Sequence, residues 1–246
     1  MGLLDGRIAF ITGGSRGLGR AIAVTFAREG AYVAFNYAKS TEDAERTLAA
    51  IQAVGRGRAF QTSVLDKPGL KQLCKDVEAE AGGPIDTLVN NAGVGQVVPL
   101  ALMEEEDWDR MMDTHVKGAF LATQAVLRGM VRIKRGHVLN IGSLAGVKML
   151  QAPVHYATAK AALKGFTEAL AKEVARYGIR VNCLAPGLLE EGVSDNLPPH
   201  RRAEFLQHCA LGRLGTPEEV AEVAAFLVSS RNTYMTGATV VVDGAV

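Results

Sequence analysis

The sequence is poor in cysteine, carries almost no net charge and lacks a long apolar run. Cys74, Cys183 and Cys209 are widely spaced and form no C-x-x-C pair, so we expect neither disulfides nor a metal site, and a reducing compartment is favoured. A net charge of +1 gives no general attraction to nucleic acid or to an anionic membrane. Neither a membrane-spanning run nor a signal peptide is recognisable. These absences predict a cytoplasmic protein that binds neither nucleic acid nor a membrane.

Short apolar runs alternate with longer helical patterns along the whole chain. The runs are apolar on both faces, which is typical of strands covered by helices on both sides. This alternation predicts an α/β fold, in which one Rossmann-type, doubly wound parallel sheet is flanked by helices and residues 1–246 form a single domain. The predicted strands are residues 7–12, 32–36, 58–62, 87–90, 137–141, 180–184 and 239–242. The predicted helices are residues 18–29, 42–54, 70–80, 108–130, 156–177 and 217–229.

One polar stretch, residues 188–208, fits between two elements of this alternation and contains Pro198 and Pro199. Long insertions in α/β domains often cover an active site. We therefore predict that residues 188–208 form a substrate lid within the domain. The alternative is a surface loop with a short helix.

The first predicted strand leads through a glycine-rich loop, residues 12–19, directly into a helix. Glycines allow backbone N–H groups to approach a pyrophosphate, and the positive end of the following helix faces the same anion. A glycine-rich turn alone is a weak signal, but its place at the start of a β-α-β unit makes a dinucleotide site the stronger interpretation. Its spacing is T-G-x-x-x-G-x-G rather than G-x-G-x-x-G.

Four motifs occur in an order that resembles the short-chain dehydrogenase/reductase family. They are the glycine loop, the Asn-Asn-Ala-Gly segment 90–93, Ser143 with the Tyr-Ala-Thr-Ala-Lys segment 156–160, and the Pro-Gly pair 186–187. Among its subfamilies, the chain is most similar to the bacterial 3-oxoacyl-[acyl-carrier-protein] reductases, through residues 17–23, 171–174, 211–213 and 241–244. The resemblance implies a nicotinamide cofactor and a homotetramer whose dimer interface contains the helices 108–130 and 156–177.

Three of these residues form a candidate catalytic set. Reduction of a carbonyl needs a proton donor, and tyrosine serves if its pKa falls from about 10 towards neutrality. Tyr156 and Lys160 are four residues apart and share a helix face, so Lys160 is expected to lower the pKa of Tyr156. Ser143 follows the fifth predicted strand, where its hydroxyl can bind the substrate oxygen. By resemblance, Lys160 also binds the nicotinamide ribose.

His115 departs from the family pattern, which usually has asparagine at this position. By resemblance, the asparagine supports a water-linked proton relay to the lysine. We expect His115 either to hold that water or to relay a proton itself, because histidine titrates near neutrality. The alternative is a histidine that only packs within its helix.

The cofactor preference depends on the end of the second strand. An NAD site typically places an acid there, which binds the ribose 2′-hydroxyl. Here no acid occurs before Glu42, whereas Arg16, Lys39 and Ser40 are placed to meet a 2′-phosphate. NADP(H) is therefore preferred and NAD(H) is the alternative. The predicted cofactor contacts are Gly13, Ser15, Arg16, Gly17, Leu18, Gly19, Asn36, Tyr37, Lys39, Ser40, Val64, Asn91, Ala92, Gly93, Tyr156, Lys160, Pro186 and Gly187.

These features favour NADPH-dependent reduction of a 3-oxoacyl thioester on acyl carrier protein. The alternatives are a reductase or alcohol dehydrogenase for a free small ketone or alcohol, and a non-catalytic dinucleotide sensor or structural subunit. Since a carrier protein is acidic, Lys134, Arg135, Lys172 and Arg176 are candidates for a basic rim around the Tyr156 pocket. Ordinary solvated charges are the alternative for these four.

Overall fold

A computed structural model of the chain describes residues 2–148, 151–192 and 197–246. These residues contain one sheet of seven strands in the order β3-β2-β1-β4-β5-β6-β7. All neighbouring strands pair in parallel. The strands are β1 Ile8–Ile11, β2 Tyr32–Tyr37, β3 Arg56–Gln61, β4 Thr87–Asn90, β5 Gly136–Ile141, β6 Ile179–Pro186 and β7 Thr239–Val242. The predicted doubly wound parallel sheet is confirmed.

Helices cover both faces of this sheet. One apolar core lies between the sheet and α1, α2 and α8, and the other lies between the sheet and α3, α5 and α6. In β2, Val33 and Phe35 join the first core, and Tyr32 and Ala34 join the second, because successive strand residues point to opposite faces. The helices are α1 Gly17–Arg28, α2 Thr41–Gln52, α3 Lys67–Ala81, α4 Glu105–Met112, α5 Gly118–Ile133, α6 Val154–Val174, α7 Pro199–His208 and α8 Pro217–Val228.

The predicted single helix 108–130 is interrupted. A π-helical turn, Asp113–Lys117, separates α4 from α5. Such a turn inserts one extra residue and rotates the following helix face by about 100°. It places His115 in the interior, where 3% of its surface is exposed. Periodicity alone cannot reveal this interruption, because the apolar pattern continues on both sides of it.

The strand order reverses direction at β1, whose neighbours are β2 and β4. Ligands of open α/β sheets bind outside the carboxyl ends of the strands at such a switch point. The glycine loop follows β1, the segment 91–93 follows β4, Ser143 follows β5 and Gly187 follows β6. The fold therefore gathers the predicted motifs at one edge of the sheet.

Candidate active site

The glycine loop is locked to the end of β4. Gly13 has a φ of +66°, and a Cβ atom there would lie 2.9 Å from the Cα of Ala92, so position 13 requires glycine. Asn91 Nδ2 donates hydrogen bonds to the carbonyl oxygens of Thr12 and Gly13, both at 3.0 Å. The backbone N–H groups of Asn91 and Ala92 both donate to Thr12 Oγ1 at 2.9 Å. These contacts fix the loop next to the predicted segment 91–93.

Asn36 ties the same loop to β2. Its Oδ1 accepts a hydrogen bond from the Gly13 N–H at 3.1 Å, and its Nδ2 donates to the Thr62 carbonyl at 2.7 Å. The Asn36 carbonyl also accepts from the Gly14 N–H at 3.1 Å. Both polar atoms of the Asn36 side chain are therefore engaged within the protein, where they hold the glycine loop against the end of β3.

The start of α1 is suited to an anion. The helix has no side-chain cap and no acidic residue in its first turn, so its first N–H groups are available to a pyrophosphate. Arg16 and Lys39 are exposed, and within the described residues the Arg16 side chain has no hydrogen-bond or ion-pair partner. Ser40 precedes α2 without capping it. These features fit a dinucleotide that carries a 2′-phosphate.

The other predicted cofactor residues also lie at the carboxyl edge of the sheet. Val64 follows β3 and packs against α5, since a Cβ atom on Gly118 would lie 2.8 Å from Val64 Cγ2. Pro186 ends β6, and Gly187 follows it. Tyr37 ends β2, and Leu18 lies in the first turn of α1.

The structure brings Tyr156 and Lys160 together in the first two turns of α6. Lys160 Nζ lies 5.7 Å from the centre of the Tyr156 ring and donates a hydrogen bond to the Ile141 carbonyl at 2.8 Å. Lys160 is 6% exposed, and burial lowers its pKa to about 8. The ammonium is thus held between the end of β5 and the phenol.

The protonation of Tyr156 differs from the prediction. Burial raises the pKa of Tyr156, and hydrogen bonding by the Ser143 hydroxyl opposes this effect. The predicted net lowering of the Tyr156 pKa is wrong for this arrangement, because removal of the phenolate from water is the dominant effect. The phenol therefore keeps its proton at neutral pH, which is the form that a proton donor requires.

His115 contacts the loop after β4. Its Nε2 lies 3.1 Å from the Val94 nitrogen and 2.9 Å from the Val94 oxygen, and its ring meets the Tyr156 ring edge-on at 5.8 Å between centres. Burial, followed by the charge of Lys160, lowers the pKa of His115 to about 3. The expectation that His115 titrates near neutrality is therefore wrong, because a charged imidazole is disfavoured in this buried position near the Lys160 ammonium.

A buried network of side-chain hydrogen bonds, which the sequence did not predict, links β4 and β5 to α5 and α6 beneath the site. Asn90 Nδ2 donates to Thr123 Oγ1 at 3.0 Å and to Asn140 Oδ1 at 2.8 Å. Asn140 Nδ2 donates to Thr167 Oγ1 at 2.8 Å, and Thr167 Oγ1 donates to the Leu163 carbonyl at 2.7 Å. The signal was asparagine within two apolar strands, at positions that pair directly in the sheet.

Part of the predicted lid lies over the same edge. A Cβ atom on Gly187 would lie 3.2 Å from the Phe205 ring of α7, and one on Gly17 would lie 3.7 Å from the Gly192 Cα. The segment after β6 therefore approaches both the glycine loop and the end of β6. Residues 193–196 of the predicted lid lie outside the described residues.

The predicted basic rim does not surround Tyr156 within one chain. Lys172 lies sixteen positions beyond Tyr156 on α6, which corresponds to about 24 Å along the helix axis. Arg176 follows in the turn after α6. A Cβ atom on Gly178, before β6, would lie 2.6 Å from the Lys134 carbonyl oxygen, and Arg135 precedes β5. All four cations lie towards the amino ends of the strands, away from the pocket.

The described ranges contain neither a metal-binding cluster nor a membrane-spanning helix. No group of three or more His, Cys, Asp or Glu side chains is placed to hold a metal ion there. In the same ranges, no helix has the length and apolar character needed to cross a bilayer.

Several known proteins are similar to this chain in sequence and in fold. A family model described as enoyl-(acyl carrier protein) reductase matches residues 13–246. The chain is 38% identical to a 3-oxoacyl-[acyl-carrier-protein] reductase of Vibrio cholerae, over 98% of this chain and 97% of that protein. The structure of a 3-oxoacyl-[acyl-carrier protein] reductase from Brucella melitensis matches with a TM-score of 0.91 at 34% identity, over 99% of this chain and 92% of that one. A short-chain dehydrogenase/reductase from Serratia marcescens matches with a TM-score of 0.90 at 33% identity, over 98% of each chain.

Proposed function

Because the chain belongs to the short-chain dehydrogenase/reductase family, it is an oxidoreductase that uses a nicotinamide dinucleotide, and we propose that it reduces a 3-oxoacyl thioester on acyl carrier protein with NADPH. The observation that carries this proposal is the grouping of Ser143, Tyr156 and Lys160 beside a glycine loop at one sheet edge. The substrate class rests on the relatives that are named 3-oxoacyl-[acyl-carrier-protein] reductases. A cytoplasmic location belongs to the same proposal.

Ser143, Tyr156 and Lys160 each have a separate role in the proposed reduction. The glycine loop after β1 and the segment 91–93 after β4 would hold a reduced nicotinamide dinucleotide, which when bound would provide the hydride. The Tyr156 hydroxyl gives its proton to the carbonyl oxygen, and the Ser143 hydroxyl donates a hydrogen bond to that oxygen. Lys160, close to the Tyr156 ring, stabilises the phenolate that remains.

A comparison of substrates tests this function. Consumption of NADPH is followed by absorbance with a 3-oxoacyl thioester, the matching trans-2-enoyl thioester and a free small ketone. We expect the 3-oxoacyl thioester to give the highest kcat/KM. Preference for the enoyl thioester or for the free ketone would contradict the proposed substrate class. Absence of turnover with all three would favour a sensor or structural subunit.

Arg16 is proposed to bind the 2′-phosphate and so to favour NADPH over NADH. Its guanidinium in the glycine loop is exposed and has no partner among the residues that the structure describes, so it can make charge-assisted hydrogen bonds to a phosphate. We expect Arg16→Ala to raise the Kd for NADPH by about ten- to hundredfold, because such bonds are worth about 1.5–3 kcal/mol, and to change the Kd for NADH less than about twofold. Fluorescence titration measures both, with Arg46→Ala, an exposed arginine on α2, as the control. Equal losses for both cofactors would show that Arg16 does not read this group.

His115 is proposed to hold the loop after β4 without relaying protons. Its single Nε2 can either accept from the Val94 N–H or donate to the Val94 carbonyl, whereas an asparagine amide can do both. We expect His115→Asn to keep kcat within about threefold, and His115→Leu to lower the melting temperature because it leaves both Val94 groups unpaired. With a pKa of about 3, His115 stays neutral from pH 5 upwards, so the pH profiles of wild type and His115→Asn should coincide. A limb near pH 6.5 in wild type alone would restore the relay hypothesis.

The assembly and the lid remain parts of this proposal. A homotetramer is supported by the outer face of α5 and α6, where Phe120 is 46% exposed and a Cβ atom on Gly165 would meet nothing within 4 Å. Light scattering at micromolar concentration would exclude this assembly if it gave a monomer mass. The role of residues 188–208 as a substrate lid is supported by the position of Phe205 over Gly187.

A further inference from the structure

The carbonyl oxygen of Ser15, inside the glycine loop, is held by two side chains from outside the loop. Thr47 Oγ1 on α2 donates to it at 2.7 Å, and an Arg20 guanidinium nitrogen on α1 donates to it at 3.0 Å. The two donors also bind each other, since Arg20 Nε donates to Thr47 Oγ1 at 2.9 Å. The three residues form a closed triangle of hydrogen bonds, in which the Thr47 hydroxyl uses both its donor and an acceptor position.

The Thr47–Ser15 side of this triangle is buried, whereas the Arg20 side chain is 33% exposed. Thr47 is 0% exposed and Ser15 is 8% exposed. A buried hydrogen bond that loses one partner leaves the other partner desolvated and unpaired. The triangle therefore resists local movement of the loop more strongly than a surface contact would.

The position of the Ser15 carbonyl determines what the next peptide group can do. Because the peptide unit is planar and trans, the Arg16 N–H points away from the side on which Arg20 and Thr47 hold the Ser15 oxygen. Arg16 immediately precedes α1. The triangle thus sets the orientation of the peptide group that leads into the uncapped end of α1.

Arg20 itself is not available to a phosphate. Besides Ser15 and Thr47, its guanidinium contacts Asp43 Oδ1 on α2 at 3.4 Å. The two arginines near the loop therefore differ in what they can bind. Arg16 is exposed and has no partner in the described ranges, so it can contact a phosphate. Arg20 is engaged within the protein.

We propose that Arg20 and Thr47 are positioning residues for dinucleotide binding, which hold the Ser15–Arg16 peptide so that the glycine loop is preformed for the pyrophosphate. This inference rests on the proposed use of a nicotinamide dinucleotide and extends it to a residue of α2 that lies outside the glycine motif. Since the pyrophosphate is common to NADPH and NADH, the triangle governs the affinity for both cofactors equally. In this respect it differs from Arg16, whose effect is confined to the 2′-phosphate.

The test uses two variants that differ by one group. Thr47→Val keeps the shape of the side chain and removes the hydroxyl, whereas Thr47→Ser keeps the hydroxyl. We expect Thr47→Val to raise the Kd for NADPH and for NADH by the same factor, about three- to tenfold, as for the loss of one to two hydrogen bonds. Thr47→Ser should stay within about twofold of wild type. Titration by nicotinamide fluorescence measures the Kd without turnover, and kcat at saturating cofactor should not change.

A second variant, Arg20→Lys, tests the same proposal in case Thr47→Val does not fold. Arg20→Lys keeps the positive charge opposite Asp43, but its single ammonium cannot reproduce the fork that reaches both Ser15 and Thr47. It should weaken both cofactors to a similar extent while the melting temperature shows a folded protein.

Three results would overturn the proposal. Unchanged Kd values in Thr47→Val with a lower melting temperature would show that the triangle only packs α1 against α2. A loss confined to NADPH would show that it acts at the 2′-phosphate. Failure of wild type to bind either cofactor would remove the proposed function itself, and with it this inference.

Discussion

Replacement of Tyr156 by phenylalanine is expected to lower kcat by about a hundred- to ten-thousandfold, the contribution typical of general acid catalysis. The variant loses the hydroxyl that delivers the proton and keeps the ring that meets His115 edge-on. Cofactor binding should therefore change little, with a Kd for NADPH within about twofold of wild type. Turnover by absorbance and binding by fluorescence separate the two effects.

Tyr177→Phe provides the matched control for this experiment. Tyr177 lies in the turn after α6, where its ring stacks on Arg176, so the same hydroxyl is removed far from Ser143 and Lys160. This variant should keep the wild-type kcat. If Tyr156→Phe retained a substantial fraction of wild-type kcat, Tyr156 would not be the proton donor.

Replacement of Lys160 by methionine is expected to have the second largest effect, a fall in kcat of about a hundredfold or more, because the phenolate left on Tyr156 loses its nearest cation. The Kd for NADPH should also rise, because the proposed ribose contact is lost. Lys164→Met, one turn further along α6 in an exposed pair with Glu168, is the control and should leave both quantities unchanged. Wild-type kcat in Lys160→Met would exclude Lys160 from the reaction.

The same variant should be at least as stable as wild type at pH 7. Burial lowers the pKa of Lys160 from 10.5 to about 8, so the charged lysine disfavours the folded state by about 3 kcal/mol. This penalty is complete below pH 8 and disappears as the pH rises from 8 to 10.5, because the folded protein then loses its proton before the unfolded chain does. The melting temperature of Lys160→Met relative to wild type should therefore be higher at pH 7 than at pH 10. The opposite trend would show that the Lys160 bond to the Ile141 carbonyl outweighs the cost of burial.

The sheet could be predicted closely from the sequence, because parallel strands that are covered on both faces must be apolar throughout. All seven predicted strands overlap the observed ones, and the motifs at their carboxyl ends had to meet at one edge. The π-helical turn at His115 was not predicted, because a single inserted residue leaves the apolar pattern intact on either side of it.

The electrostatics of the site could not be predicted, because they depend on depth within the fold. Spacing correctly placed Lys160 near Tyr156, but the direction of the Tyr156 pKa shift follows from burial. The same holds for His115, whose neutrality depends on contacts with residues far away in the sequence. Likewise, the role of Thr47 follows from a hydrogen bond to Ser15 across 32 positions of the chain.

The buried chain through Asn90, Asn140 and Thr167 has a consequence for folding. β4 and β5 are parallel, so their pairing must form between segments about fifty residues apart, which is slow and open to errors of alignment. Apolar side chains alone distinguish poorly between the native alignment and one that is displaced by two residues, because the same faces remain buried. Displacement would separate Asn90 from Asn140 and leave the Asn140 Oδ1 atom without the donor that it has in the native alignment, at a cost of about 1–3 kcal/mol for a buried unsatisfied group. The hydrogen bond between the two asparagines therefore favours the native alignment of β4 and β5 over a displaced one.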